Sequence, residues 1–377
     1  MLIAPSKLIE SEDQSFKGQC YYYTLLSSRN LQPSQVLTEI CSKLFQDLKK
    51  VRFQEEGDVS IAIMENKYYF IIQKIDSTLN LLIYYNLTSE SIKQLLENTI
   101  VKIKWLSFGW MSPQELDHFE GYSDDFDVIN LYTSFNPYYL QKKFAKIQPE
   151  LQSRYQERWY KPRAIEVNIR IPKIDAHEFL KRYFPKKITE TVKLKFKAKF
   201  SNPGEASIVV DQDAKVIHER GELKATDKIV SDVIQKTQSR ISEYLKYSTS
   251  REYTKLDDGS FDLSDYSPSR PFYYSFKLPD GDMDEFSVKL ENLLTVSRKN
   301  IPMYGIRLSR KGRDFSCLSY LPVDRSELQI SYIEDSGTPR LIVDPLKTTP
   351  LGILMLTRTL SERMTWSTEF CGFYEEA

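Results

Sequence analysis

The stretch Val192-Lys-Leu-Lys-Phe-Lys-Ala-Lys-Phe200 alternates apolar and cationic residues without a break. Successive side chains of a β-strand point to opposite faces of the sheet, so this stretch predicts a strand with one apolar face and one cationic face. The apolar face has to be buried, because exposed apolar surface is unfavourable in water. The stretch therefore predicts a sheet that is covered on one side and open on the other.

Four lysines form the cationic face: Lys193, Lys195, Lys197 and Lys199. Neighbouring lysines on this face are about 7 Å apart along the strand, so they repel one another unless acidic neighbours or an anion compensate them. The phosphates of a nucleic-acid backbone could serve as that anion. The alternative interpretation is a solvated edge strand whose lysines prevent aggregation between sheets.

Outward from this stretch, strand patterns alternate with amphipathic helix patterns. Further strands are predicted at 19–26, 58–64, 67–75, 79–85, 164–171, 206–210, 215–218, 271–278, 302–309, 314–322, 328–334 and 339–344. Helices are predicted at 33–48, 88–98, 175–184, 226–245, 282–296 and 350–364. These elements predict an α+β fold of antiparallel sheets, each covered on one face by helices. The order strand, helix, three or four strands, helix recurs about three times, which predicts tandem units as an internal repeat.

Length and composition predict several domains, since 377 residues exceed the usual single domain of about 100–200 residues. We predict an acidic α+β unit over 1–135, a basic and aromatic connector over 136–163, a basic central α+β unit over 164–247, a linker over 248–270 and a C-terminal α+β unit over 271–377. The net charge is zero, yet residues 136–256 contain 26 Lys and Arg against 15 Asp and Glu. This basic middle either docks the acidic flanks or presents a cationic face to a partner.

The connector mixes basic with aromatic residues, and this mixture suits a single strand of nucleic acid. Lys or Arg would neutralise phosphates, while Tyr or Trp would stack on bases. A helix that packs between two domains needs the same composition, which is the alternative. The connector residues that we predict to contact nucleic acid are Lys142, Lys143, Arg154, Arg158 and Trp159.

Catalytic and cofactor signatures are sparse. The four cysteines have no C-x-x-C spacing, which predicts buried thiols, and no glycine-rich phosphate loop occurs. The acidic segment 115–127 could ligate a hard cation, but it lacks the spacing of a calcium loop and is interpreted as a surface loop. We therefore predict a non-enzymatic protein without a metal or cofactor. The enzymatic alternative is a Mg²⁺-dependent nuclease built from Asp211, Asp213, Glu222 and Lys224.

The leading hypothesis is a module that binds DNA or RNA and works with other protein subunits. A protein-interaction subunit is the further alternative, because strands with consecutive tyrosines would turn at least one ring away from the core. Those tyrosines are Tyr21, Tyr22, Tyr23, Tyr84, Tyr85, Tyr273 and Tyr274. No apolar run approaches the roughly 18 residues that cross a bilayer, and no secretory signal is recognisable, so the sequence predicts a cytoplasmic protein without membrane contact.

Overall fold

The computed structural model describes residues 3–374 except for 13–17, 46–47, 65–67, 87–90, 136–165, 184–188, 202–203, 249–253, 256–260, 263–269, 279–282, 296–302, 336 and 365–367. The predicted connector lies outside the described residues. The chain forms two compact units. Among the described residues, the first unit contains those up to Ser134 together with Glu166–Ser239, and the second contains Phe135 and those from Arg240 onward.

Strands and helices of the first unit follow most of the predicted pattern. Its strands are β1 (Cys20–Ser27), β2 (Val51–Glu56), β3 (Val59–Met64), β4 (Tyr68–Lys74), β5 (Leu79–Asn86), β6 (Leu106–Phe108), β7 (Val128–Phe135), β8 (Glu166–Pro172), β9 (Thr189–Lys199), β10 (Glu205–Asp211) and β11 (Lys215–Gly221). Its helices are α1 (Pro5–Glu12), α2 (Pro33–Leu44), α3 (Ser91–Lys102), α4 (Pro113–Asp117), α5 (Lys173–Tyr183) and α6 (Leu223–Leu245), with 3-10 turns at Leu48–Lys50 and His118–Tyr122.

All eleven strands belong to one sheet, in the order β2-β3-β4-β5-β1-β11-β10-β9-β7-β8, with β6 beside β1. The predicted units 1–135 and 164–247 therefore share a sheet instead of standing apart. Strand β1 joins them, because Tyr22 lies opposite Ile83 of β5 and opposite Val216 of β11. A strand with two hydrogen-bonding edges can pair on both sides, which sequence periodicity does not reveal.

Helices cover both faces of this sheet in different places. Helices α2 and α3 form one core with the β1 residues Tyr21, Tyr23 and Leu25. On the opposite face His218 lies beside Cys20, and its Nδ1 is 2.8 Å from the Thr226 hydroxyl of α6. Because directly opposed residues share a face, α6 lies on the other side of the sheet from α2 and α3.

The tyrosine runs are buried instead of forming an interface. Both faces of the central strands are covered, so consecutive rings can all leave water. The buried members are Tyr21, Tyr22, Tyr23, Tyr84, Tyr85 and Tyr274. Tyr273 alone of the predicted set is partly exposed. The expectation that each of these strands turns at least one tyrosine outward is therefore wrong for the strands of Tyr21–Tyr23 and Tyr84–Tyr85, whereas Tyr273 is partly exposed.

The second unit has a six-stranded sheet in the order β15-β16-β17-β18-β14-β19, and a separate pair, β12 with β13. The strands are β12 (Thr254–Lys255), β13 (Phe261–Asp262), β14 (Phe272–Phe276), β15 (Tyr304–Lys311), β16 (Asp314–Leu321), β17 (Ser326–Asp335), β18 (Thr338–Lys347) and β19 (Thr368–Phe373), and the helices are α7 (Met283–Thr295) and α8 (Pro350–Arg363). Both helices cover one face: Phe286 of α7 packs on Phe276, and Thr357 of α8 hydrogen-bonds the Tyr274 hydroxyl at 2.8 Å.

The α+β prediction is confirmed. The strand order β2-β3-β4-β5-β1 of the N-terminal segment matches the order β15-β16-β17-β18-β14 of the second unit. The central segment differs, because its first strand β8 lies at the β9 end, beyond β7, instead of beside its last strand β11. Among the described residues, no helix has the length and apolarity needed to span a bilayer.

The cysteines are free thiols, and Cys20, Cys41 and Cys317 are buried as predicted, whereas Cys371 is partly exposed. Burial raises the pKa of Cys41 to about 12 and that of Cys317 to about 11. Only the thiolate is a strong nucleophile, so these two thiols are unreactive near neutral pH.

Stability should depend on pH through His218. Burial lowers the pKa of His218 to about 4 from an ordinary value of 6.5. Between about pH 6.5 and pH 4, His218 is therefore protonated in the unfolded chain but neutral in the folded chain. The free energy of unfolding should fall as the pH drops through this range, by at most about 1.4 kcal/mol per pH unit. Urea unfolding should show a flatter pH profile for His218→Asn. The His118→Asn control keeps the buried imidazole and should retain the slope; identical slopes in all three proteins would refute the assignment.

Candidate nucleic-acid interface

Strand β9 has the two faces that its alternation predicts. Leu194, Phe196 and Ala198 are buried, whereas the four lysines are half-exposed. The strand hydrogen-bonds to β10 on one side and lies next to β7 on the other, so it is an interior strand of the sheet. The edge-strand interpretation of the lysines is therefore wrong, and their exposure belongs to a sheet face.

Carboxylates of the protein compensate most of this lysine ladder, by which we mean Lys193, Lys195, Lys197 and Lys199. The ion pairs are Lys195 with Glu219 (2.6 Å), Lys197 with Glu205 (2.6 Å), and Lys199 with Asp124 (2.7 Å) and Asp127 (2.9 Å). The Lys193 ammonium instead lies 4.7 Å from the centre of the Tyr132 ring. Acidic neighbours thus reduce the positive charge that the sequence predicts for this face.

The pair of Lys197 with Glu205 is exposed and therefore weak: these side chains are 44% and 56% exposed, and surface pairs of this kind contribute about 0–1 kcal/mol. Lys197 can therefore exchange its carboxylate for a phosphate at little cost. Glu219 and Asp127, the partners of Lys195 and Lys199, are partly buried. At the end of the ladder, the hydrogen bond to Asp124 raises the pKa of Lys199 and lowers the pKa of Asp124.

An open groove of about 530 Å³ crosses this face, and Lys195 and Lys197 line it. Arg170 of β8 and Arg220 of β11 also line the groove, and both are exposed. Neither guanidinium has a carboxylate partner among the described residues. Within the described residues, these two guanidinium groups therefore keep positive charge in the groove that no carboxylate pairs with.

Strand geometry sets the length of the groove. Four strand spacings of about 4.8 Å separate β8 from β11, so Arg170 and Arg220 lie on strands about 19 Å apart. Asn130 of β7 lies opposite Arg170, and its Oδ1 is buried without a donor among the described residues. An extended ligand would meet cations along the groove and an unsatisfied acceptor inside it.

The acidic segment 115–127 is predicted to be a surface loop, but only 123–127 is one, because 115–117 belong to α4 and His118–Tyr122 form a 3-10 turn. Aspartates of this loop bind lysines: besides the pairing of Lys199, the Asp125 carboxylate is 3.2 Å from the Lys173 ammonium. No cluster of three or more potential metal ligands occurs in the described part of the chain.

The nuclease constellation is not assembled. Asp211 lies opposite Lys215 at the turn between β10 and β11, whereas Gly221, which precedes Glu222, pairs with Ala206 at the other end of the hairpin. Five residues of strand, about 17 Å, separate the two ends. Asp211 is also buried in an ion pair with Lys215 at 2.8 Å. The hypothesis of a Mg²⁺ site joining Asp211 to Glu222 is therefore wrong.

The predicted connector contacts remain predictions, because that segment lies outside the described residues. They are Lys142, Lys143, Arg154, Arg158 and Trp159. Sequence reasoning missed Arg170 and Arg220, which the fold adds to the ladder. The alternation in β8 places Arg170 on one face with Asn168, but only strand pairing shows that this face is the one with the lysines.

Comparison with models of known protein families gives no match, and no curated protein sequence matches the chain. Fold and site geometry therefore carry the functional argument.

Proposed function

We propose that the first unit is a non-enzymatic module that binds nucleic acid through its phosphates, along the open face of β7–β11. The observation that carries the proposal is the groove with two guanidinium groups, Arg170 and Arg220, which have no carboxylate partner in the described part of the chain and lie on either side of the lysine ladder. The same proposal holds that the nucleic acid is DNA or RNA and that the protein works with other protein subunits.

Arginine suits this role for a geometric reason. A guanidinium is planar, always charged near neutral pH, and can donate two parallel hydrogen bonds to one phosphate. Arg170 and Arg220 lie too far apart to hold a single phosphate, so the groove favours a ligand with repeating anionic groups. Nucleic-acid backbones have this property.

The lysines of the ladder would also contact the ligand, by exchanging a carboxylate partner for a phosphate. A bound phosphate next to Lys197 would release Glu205 to water, and the exposed pair costs little to break. Binding should therefore combine strong contacts at the arginines with weaker, adjustable contacts at the lysines. Such a face would tolerate many sequences, because none of these cations reads a base edge.

Arg170→Gln and Arg220→Gln should each weaken binding of a fluorescein-labelled oligonucleotide, measured by polarisation across a salt series. Each loss of a phosphate contact should lower the slope of log affinity against log salt by roughly one. Glu205→Gln, which frees Lys197, should strengthen binding.

Arg52→Gln is the matched control, because Arg52 is an exposed arginine of the same unit in β2, at the opposite end of the strand order. It should leave the salt slope unchanged. Equal effects of Arg52→Gln and Arg170→Gln, or an affinity that does not depend on salt, would contradict the proposal.

A second candidate function, protein interaction, is supported by the edge strand β15 of the second unit. Tyr304, Ile306 and Leu308 on this strand are 46%, 61% and 53% exposed. The strand pairs with β16, and no other described strand pairs with it. A long apolar edge strand is a template for strand addition by a partner chain.

The charge of this edge indicates the kind of partner. Arg307 and Arg310 both contact one carboxylate, Glu291, which leaves positive charge beside the apolar strip. We propose that an extended protein segment with alternating apolar and acidic residues pairs with β15.

A photo-crosslinking residue in place of Ile306 should attach one such segment in a native extract, with the crosslinked peptide identified by mass spectrometry. Arg307→Gln should lower the yield. The same residue at Val288, an exposed apolar position of α7, is the control and should not capture this peptide. Equal capture at both positions, or a captured peptide rich in basic residues, would refute the proposal.

A further inference from the structure

The loop that leads into the groove carries an exposed aromatic residue. Phe126 is 83% exposed, and among the described residues no aromatic or cationic side chain contacts its ring. It precedes Asp127 and Val128, which both line the groove. Phenylalanine is normally buried, so a phenylalanine that is exposed next to groove-lining residues is a candidate for contact with a ligand.

The exposure of Phe126 is built into the fold. The Lys199 ammonium, at the end of the lysine ladder, pairs with Asp124 and Asp127, which flank Phe126 in the sequence. Backbone bonds fix the same loop to α5, from Lys173 N to Asp127 O at 2.9 Å and from Ile174 N to Asp125 O at 2.8 Å. The ring therefore lies on a supported loop, in a place set by the ladder itself.

Val128 and Ile174, which are 47% and 56% exposed, extend the apolar surface of this loop. Through Val128 this apolar surface continues into the groove that Arg170 also lines, and it fits a ligand that has both a flat apolar part and repeated negative charge. Single-stranded nucleic acid has both, since its unpaired bases stack on aromatic rings while its phosphates follow a basic groove. In a duplex the base faces are hidden by stacking on one another.

We propose that Phe126 is a stacking platform for an unpaired base, which makes single-stranded nucleic acid the ligand of the groove. The inference rests on the proposed function, because the groove must first bind phosphates. It adds a preference for single strands over duplexes. Phosphate contacts alone do not create this preference, because both forms of nucleic acid present phosphates.

The test uses the full chain with oligothymidylate and oligouridylate, each compared with its own duplex, by fluorescence polarisation. Phe126→Ala should weaken single-strand binding by about 5- to 100-fold and leave duplex binding and the salt slope unchanged. Phe126→Trp should retain affinity, and its emission should be quenched when the oligonucleotide binds. Phe126→Leu, which is apolar but not aromatic, should behave like Phe126→Ala.

Phe53→Ala is the matched control, because Phe53 is an exposed phenylalanine of β2 in the same unit. It should bind like the unaltered chain. Full affinity in Phe126→Leu, or equal losses for single strands and duplexes, would overturn the stacking proposal while the arginine variants still report on the groove. Absence of nucleic-acid binding by the unaltered chain would overturn both proposals together.

Discussion

The first unit depends on strand β1, because it hydrogen-bonds to β5 on one side and to β11 on the other. This pairing joins two segments that are far apart in the sequence into one sheet. It also fixes where the helices lie, with α2 and α3 on the face of Tyr23 and α6 on the face of His218. The candidate site occupies strands beyond β1, on the face opposite α6. Loss of the β1–β11 pairing would separate these strands from β1 and from the strands on its other side, β2 to β5.

Electrostatics on that face combine two kinds of cation. Lys195 and Lys197 of β9 form ion pairs with carboxylates at the surface, and these pairs reduce the repulsion between neighbouring lysines. Surface pairs are weak, so the lysines remain able to contact an anion. Arg170 and Arg220 have no such partners in the described part of the chain, and in the proposed function they would attract the phosphates of the ligand. Lys215 shows the contrast: burial alone would lower its pKa, but Asp211 and Glu97 reverse this and raise it, as expected for a structural ion cluster. Exposure, more than charge, separates the cations proposed to bind phosphate from the structural ones.

The sequence predicted the α+β class and the boundaries of most elements, because those depend on local periodicity. It also predicted the two faces of β9. It did not predict β2, β7 or β19, nor that β7 would lie between β8 and β9, since strand order depends on contacts between distant residues. The partners of the lysines were hidden for the same reason: Glu205 is opposite Lys199 in register but pairs diagonally with Lys197. Arg220 joins the groove through an irregularity in the β10–β11 register near Ser207, which no alternation pattern contains.

Acetylation of individual lysines, measured by mass spectrometry with and without a single-stranded oligonucleotide, tests whether the open face of β7–β11 binds nucleic acid. We expect binding to protect Lys193, Lys195 and Lys197 from acetylation. The reactivity of Lys277, an exposed lysine of the second unit, should stay unchanged. Protection that is confined to other lysines, or absent while the oligonucleotide is bound, would contradict binding at this face.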